Sequence, residues 1–189
     1  ADAMIENFRP GRLEEMGLAP ETLFQRNPKL VLARISGFGQ TGPYRDRPGF
    51  GSLVEALSGF AARNGLADRA PVLPPLALAD MIAGLYGAMA VMIALREVET
   101  KGGRGQVIDL SLLEPILSVL GPEALSYKVT GKAKERAGSG SNTSSPRNVY
   151  ATSDGKWIAL SASIQSMAER VFRVIGRDDM IEDPRFRTN

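Results

Sequence analysis

Short apolar runs separated by polar turns open the chain and predict strands alternating with a helix. Residues 3–5 and 30–36 are apolar runs of strand length, and the second is rich in β-branched side chains. Residues 20–26 between them have the composition of a short helix that ends before Asn27-Pro28. A strand, a helix and a strand at this spacing form a βαβ unit, so the sequence predicts an α/β fold with a parallel sheet.

The pattern continues with longer helices and ends with a hairpin. Helices are predicted over residues 52–60, 80–99, 112–129 and 166–175. Residues 107–110 have the composition of another strand, and residues 64–75 contain prolines that predict irregular structure. Two strands over residues 148–160, joined by the turn Ser153-Asp154-Gly155, predict a β-hairpin.

Residues 81–95 are the most apolar stretch of the chain, which makes them a candidate for a membrane span. The stretch is shorter than the roughly 20 residues that a span requires. Its small residues Gly84, Gly87 and Ala88 favour close packing against other helices. We therefore expect a buried helix and no membrane partner.

A change of composition near residue 131 divides the chain. Residues 131–148 are rich in Gly and Ser and predict a linker between a large domain over residues 1–130 and the beginning of a small domain over residues 149–189. Within it, residues 137–145 suit either a disordered linker or a mobile lid. Trp157 and Phe172 are expected in the core of the small domain.

Composition narrows the possible chemistry. The net charge is only +2 and the basic residues are scattered, so nucleic acid is not expected as a partner. The chain has no Cys, which suits a reducing cytoplasm, and residues 1–10 lack the apolar core of a signal peptide. It also has no His, which excludes imidazole catalysis and histidine metal sites. Any chemistry must use carboxylates, Lys, Tyr, Ser or main-chain amides.

Asp80 is the first candidate for that chemistry. It is the only charged side chain between Arg69 and Arg96, and Leu and Ala residues precede it. One interpretation is a helix N-cap, since Asp is favoured at that position. The other is a nucleophile in an apolar setting, where the positive end of the helix dipole supports a carboxylate that attacks a thioester carbonyl. Local pattern alone leaves both open.

Two loops are further candidates. Residues 37–43 contain three glycines and superficially resemble a phosphate-binding loop, but the Lys-Ser/Thr ending of a P-loop is missing, so a turn-rich loop is equally compatible. Residues 6–11 directly follow the first predicted strand, where ligands bind in open parallel sheets. Asn7 and Arg9 could therefore contact an adenine or a phosphate, or the segment could be a polar loop with a Pro-Gly turn.

Several ordered motifs together resemble the family III CoA-transferases, the CaiB–BaiF group. The resemblance runs through residues 2–11, 35–43, 77–86, 100–112 and 183–186. Family members are roughly twice this length, and the chain corresponds to their middle. The resemblance implies a large Rossmann-like domain with a smaller α+β domain, assembled in an interlocked homodimer.

The resemblance also implies a reaction and a set of site residues. CoA would pass from an acyl-CoA to a free carboxylic acid through an aspartyl anhydride and an aspartyl-CoA thioester on Asp80. CoA is then a substrate, and no permanently bound cofactor or metal is expected. The residues expected to contact CoA are Asn7, Phe8, Arg9, Gly49, Phe50 and Gly51.

Two positions depart from the family pattern. Glu15 stands where some transferases have a basic residue that contacts a CoA phosphate, and Arg9 or Arg12 would have to substitute. Phe50 occupies the segment where the related α-methylacyl-CoA racemases have a catalytic His, which disfavours that isomerase chemistry. A racemase-type isomerase and a non-catalytic CoA-binding fragment are the alternatives to a transferase. The sequence does not identify the donor or the acceptor acid.

Overall fold

The computed structural model describes residues 1–141 and 143–187. They form two compact units, one made of Ala1–Ala61 and Leu73–Leu125, the other of Ala62–Val72 and the residues from Ser126 onward. Asn142, in the predicted linker, and the last two residues of the predicted small domain lie outside the described residues. The predicted domain boundaries at residues 130 and 148 stay predictions.

A parallel three-stranded sheet forms the centre of the first unit. Its strands are β1 (Ala3–Glu6), β2 (Val31–Ser36) and β3 (Val107–Ser111), in the order β1-β2-β3. Ala3 pairs with Val31, and Leu32 pairs with Val107. The middle strand β2 is buried over its first four residues, as expected for a parallel strand with both faces covered. The predicted βαβ unit and α/β fold are confirmed.

Seven helices precede, separate or follow these strands along the chain up to residue 130. They are α1 (Arg12–Glu15), α2 (Pro20–Arg26), α3 (Gly51–Leu57), α4 (Phe60–Arg63), α5 (Leu78–Lys101), α6 (Leu113–Val119) and α7 (Glu123–Thr130). Helices α3, α5 and α6 pack on β3 through one apolar cluster, which therefore fixes the start of α5 against the sheet. The buried members of the cluster are Val54, Ala79, Ala83, Leu110, Leu112 and Ile116.

Helix α5 is buried along only one stripe, so the prediction of a buried helix is wrong for this structure. The buried residues of α5 are Ala79, Ala83, Gly87 and Ala94. Their spacing of about four residues places them on one face. The opposite face exposes Met81, Leu85, Met89, Met92 and Ile93. The helix has 24 residues and, by length and composition alone, could cross a membrane, which corrects the expectation that the apolar stretch was too short.

The helix predicted over residues 112–129 is interrupted, so that prediction is also wrong. α6 ends at Val119 and α7 begins at Glu123. Gly121 lies between them with φ of 66°, a left-handed conformation that ends helices, and Pro122 has no N–H for an intrahelical bond. The break shortens α6 to the part that packs on α5.

The second unit contains the predicted hairpin. β4 (Arg147–Ala151) pairs antiparallel with β5 (Trp157–Ser161), and α8 (Gln165–Val174), α9 (Asp179–Glu182) and a 3₁₀ turn (Pro184–Phe186) follow. Phe172 is buried as predicted. Trp157 is 73% exposed, so its assignment to the core is wrong; it starts β5, in which no residue is buried.

Candidate active site

A cavity of about 230 Å³ lies at the carboxyl ends of the three parallel strands. Asn7 follows β1, Gly37 follows β2 and Leu112 follows β3, and all three line the cavity. This is the edge at which open α/β sheets bind ligands. Six of the seven residues predicted for the site line it together, namely Asn7, Phe8, Arg9, Gly49, Phe50 and Asp80.

Asp80 is the third residue of α5 and does not cap it, so the N-cap interpretation is wrong. The N-cap residue is Ala77, and its side chain forms no cap hydrogen bond. Among the described residues, none forms a hydrogen bond or an ion pair with the Asp80 carboxylate. The side chain is exposed, which also corrects the expectation of a dry apolar setting, because Ala79 and Ala83 turn into the core while Asp80 faces the cavity.

Glu55 satisfies the start of α5 in place of a cap. The N–H of Ala79 donates to Glu55 Oε1 over 3.1 Å. Glu55 is only 2% exposed and projects from α3, so a buried carboxylate lies at the positive end of the helix dipole. Sequence reasoning missed this residue, although an acidic side chain between Val54 and Leu57 on a short apolar helix is an available signal.

Gly51, the seventh predicted residue, lies directly against Asp80. A Cβ built on Gly51 would clash with Asp80 Oδ2 and lie 3.2 Å from its Cγ. Gly49 approaches Gly37 equally closely, since a Cβ on Gly37 would lie 2.5 Å from the Gly49 Cα. The contact between Gly37 and Gly49 requires glycine, because backbone meets backbone there. A side chain at position 51 would instead displace the carboxylate of Asp80. The predicted Gly49–Gly51 segment therefore forms a close wall beside the carboxylate.

A buried ion network holds the loop that carries Asn7 and Phe8. Arg34 Nε on β2 donates to Glu6 Oε1 on the adjacent β1 over 2.6 Å, and both side chains are buried. The Phe8 N–H donates to Glu6 Oε2 over 2.7 Å. Arg34 also donates twice to Glu14 on α1, over 2.7 and 3.1 Å. The network thereby fixes the backbone of Phe8 at the wall of the cavity.

The charges of this network shift the pKa values of its members. Hydrogen bonds from Arg34 lower the pKa of Glu14 below its ordinary value of 4.5. Burial would lower the pKa of Arg34, but hydrogen bonds to Glu14 and Glu6 outweigh it, so this pKa lies above its ordinary value. Glu14 and Arg34 are therefore both charged at neutral pH.

Three arginines face the same cavity as Asp80. Arg9 lines it, with Nη2 donating to the carbonyl oxygen of Asp46 over 2.8 Å. Arg45 and Arg47 also line it and were missed by the sequence reasoning, although the sequence Tyr44-Arg45-Asp46-Arg47 directly follows the glycine loop. Arg12, the other candidate for the missing basic contact at Glu15, forms an exposed ion pair with Glu15 itself over 2.6 Å.

Two central amides of the glycine loop, residues 37–43, are already hydrogen-bonded. The N–H of Gly39 donates to Ser36 Oγ over 3.0 Å, and the N–H of Gln40 donates to both carboxylate oxygens of Asp109, over 2.9 and 3.0 Å. An acidic side chain in this position repels a phosphate. The structure therefore favours the turn-rich loop over a phosphate-binding loop. No cluster of three potential metal ligands occurs within residues 1–141 and 143–187.

Comparison with known proteins identifies the family. The chain is 39% identical to a succinyl-CoA–D-citramalate CoA-transferase of Chloroflexus aurantiacus, covering 100% of the chain and 46% of that protein. It is 42% identical to the alpha subunit of a succinyl-CoA–L-malate CoA-transferase of the same species, covering 95% of the chain and 42% of the relative.

A solved structure shares the fold over the whole chain. It is the crystal structure of a CAIB/BAIF family protein from Brucella suis, 33% identical with a TM-score of 0.82, covering 100% of the chain and 50% of that structure. The chain thus spans about half the length of the proteins it matches. The family model described as CoA-transferase family III matches residues 1–189. The chain belongs to the CoA-transferase family III.

Proposed function

We propose that the protein is a CoA-transferase in which Asp80 carries the acyl group and then CoA as covalent intermediates. The observation that carries the proposal is the Asp80 carboxylate, which no described residue pairs with and which shares a cavity with Asn7, Phe8 and Arg9. A carboxylate with no ion pair keeps its lone pairs available for attack. The Glu55 contact frees Asp80 from capping the helix, so the side chain is available for chemistry.

The reaction divides into two symmetrical halves. An Asp80 oxygen attacks the thioester carbonyl, the C–S bond breaks, and CoA leaves as a thiolate, so that Asp80 and the donor acyl group form a mixed anhydride. The thiolate then attacks the Asp80 carbonyl of the anhydride, releasing the donor acid and leaving an aspartyl-CoA thioester. The acceptor carboxylate attacks this thioester, and the same steps in reverse release Asp80 and the new acyl-CoA.

This sequence of steps needs no general base. Each nucleophile is already an anion and each leaving group departs as one, so no proton moves in a complete cycle. A chain segment without histidine is therefore adequate for the chemistry. Oxyanions that form at the Asp80 carboxyl lie near the first turn of α5, where the helix dipole favours negative charge.

The substrates follow from the same cavity and from the relatives. We assign CoA contacts to Asn7, Phe8, Arg9 and the segment 49–51, with CoA as a transient substrate. The relatives are named for succinyl-CoA, citramalate and malate. Citramalate and malate carry two carboxylates, and succinyl-CoA carries one free carboxylate beside its thioester. We accordingly propose small dicarboxylic acids as the donor and acceptor groups.

A homodimer is part of the proposal. The exposed face of α5 carries five large apolar side chains on one 24-residue helix, an apolar surface of the kind that marks an interaction site. In the natural full-length protein, light scattering should give twice the subunit mass. A monomer at micromolar concentration would contradict this part of the proposal.

Turnover by variants of the natural full-length protein tests the catalytic role. Asp80→Asn keeps the shape of the side chain but removes its nucleophilic charge, so transfer from succinyl-CoA should fall by roughly a thousandfold or more. Asp68→Asn, at an exposed aspartate that does not line the cavity, is the matched control and should retain turnover. Retained activity in Asp80→Asn, or deuterium exchange at the α carbon in place of transfer, would overturn the proposal.

A further inference from the structure

The side chains that line the cavity beside Asp80 carry more positive than negative charge. Arg9, Arg45 and Arg47 line it, and within residues 1–141 and 143–187 Asp80 is the one acidic residue among the lining side chains. A monocarboxylic acid offers a single carboxylate, which is consumed in the reaction at Asp80. The additional cations therefore suit a substrate that brings a second negative charge.

Of these three arginines, Arg47 has the positive charge that its neighbours neutralise least. Arg9 already donates to the Asp46 carbonyl, and Arg45 Nε lies 3.3 Å from Asp46 Oδ2. Among the described residues, no carboxylate lies within ion-pair distance of Arg47. Its guanidinium instead stacks over the Tyr44 ring, 4.2 Å from the ring centroid, which orients the planar group without neutralising it. Such a guanidinium is ready to bind a carboxylate with two parallel hydrogen bonds.

The size of the cavity indicates which anion Arg47 can bind. A volume of about 230 Å³ is below the roughly 300–1,000 Å³ of sites for drug-sized ligands. When the thioester carbon is at Asp80, the phosphates of CoA lie at the far end of the pantetheine arm from it, outside a cavity of this size. A second carboxylate two or three carbons from the reacting one remains within the same small cavity.

We infer that Arg47 binds the second carboxylate of a dicarboxylic substrate and thereby selects dicarboxylic over monocarboxylic acids at Asp80. The inference rests on the proposed function. Arg47 is a specificity-determining residue in it, since it contacts the part of the substrate that does not react. Tyr44 orients its guanidinium.

The test compares two acceptors that differ in this one group. With succinyl-CoA as donor, kcat/KM is measured for isotopically labelled succinate and for butyrate, in which a methyl group replaces the second carboxylate. In Arg47→Gln the ratio of kcat/KM for succinate to that for butyrate should fall about tenfold, because a hydrogen-bonded charge pair is lost only with succinate. Arg47→Lys keeps the charge but loses the two-pronged geometry, so its ratio should be intermediate.

A matched control variant completes the test, and its negative outcomes distinguish failure of the inference from failure of the proposed function. Arg26→Gln removes an exposed arginine of α2 that does not line the cavity, and its ratio should equal that of the unmodified protein. An equal loss with both acids in Arg47→Gln would indicate a CoA contact and overturn the inference, as would an unchanged ratio. If the unmodified protein transfers CoA to neither acid, the proposed function itself fails, and the inference fails with it.

Discussion

The stability of helix α5 should depend on Glu55. This residue lies on helix α3 and accepts a hydrogen bond from the first turn of α5. The side chain is 2% exposed, and its Oε1 accepts the buried N–H of Ala79. Glu55→Met preserves the volume of the side chain but removes the acceptor, so the N–H stays buried without a partner. Glu55→Gln keeps a neutral acceptor at the same reach.

The magnitudes separate the two substitutions. A buried donor that loses its partner costs about 1–3 kcal/mol, and a lost helix cap costs about 1 kcal/mol. We expect Glu55→Met to lower the free energy of unfolding by about 2 kcal/mol. Glu55→Gln loses the favourable interaction of a negative charge with the helix end, but it also avoids the energetic penalty of burying that charge. It should therefore lower the free energy of unfolding by less than about 1 kcal/mol.

Urea unfolding of the natural full-length protein, followed by circular dichroism, measures both values. Asp80→Asn provides the comparison, because Asp80 makes no cap hydrogen bond and its replacement should change the free energy of unfolding by less than about 0.5 kcal/mol. The reasoning is refuted if Glu55→Met and Glu55→Gln are equally stable. It is also refuted if Asp80→Asn is the more destabilised variant.

Two further predictions concern Gly51 at the wall of the cavity and the ion pair between Glu14 and Arg34. Gly51→Ala places a methyl group against the Asp80 carboxylate and should lower kcat/KM about tenfold or more, while the circular dichroism spectrum is retained; full activity would contradict the close contact. The lowered pKa of Glu14 means that its ion pair with Arg34 stabilises the fold above about pH 4.5 and that this contribution is lost as pH falls through the lowered pKa. The urea midpoint should therefore fall less steeply below pH 4.5 in Glu14→Gln than in the unmodified protein, and equal slopes would argue against the pair.

Local pattern was sufficient for the elements that depend on local sequence. The helix Pro20–Arg26 has the predicted bounds, because a proline at its first position and Asn27-Pro28 after it define both ends. The hairpin followed from its turn residues. The break at Gly121 was missed because the apolar periodicity continues on both sides of it, and the periodicity was given more weight than the glycine.

The site was predictable as a set of residues but not as a geometry. Asn7, Phe8, Gly49 and Asp80 follow from family motifs, and the parallel sheet brings their segments to one edge. The capping of α5 by Glu55 could not be foreseen, since it joins residues 24 positions apart through tertiary packing. For the same reason, local spacing made Asp80 resemble a cap, while the fold leaves its carboxylate unpaired.

Trapping of the intermediate on Asp80 tests the central claim most directly. The natural full-length protein is incubated with succinyl-CoA and hydroxylamine, digested and examined by mass spectrometry. An activated Asp80 carboxyl reacts with hydroxylamine, so the account predicts a hydroxamate on the peptide that contains Asp80, dependent on succinyl-CoA and absent from Asp80→Asn. An active protein whose Asp80 peptide stays unmodified, or whose hydroxamate lies on another carboxylate, would contradict it.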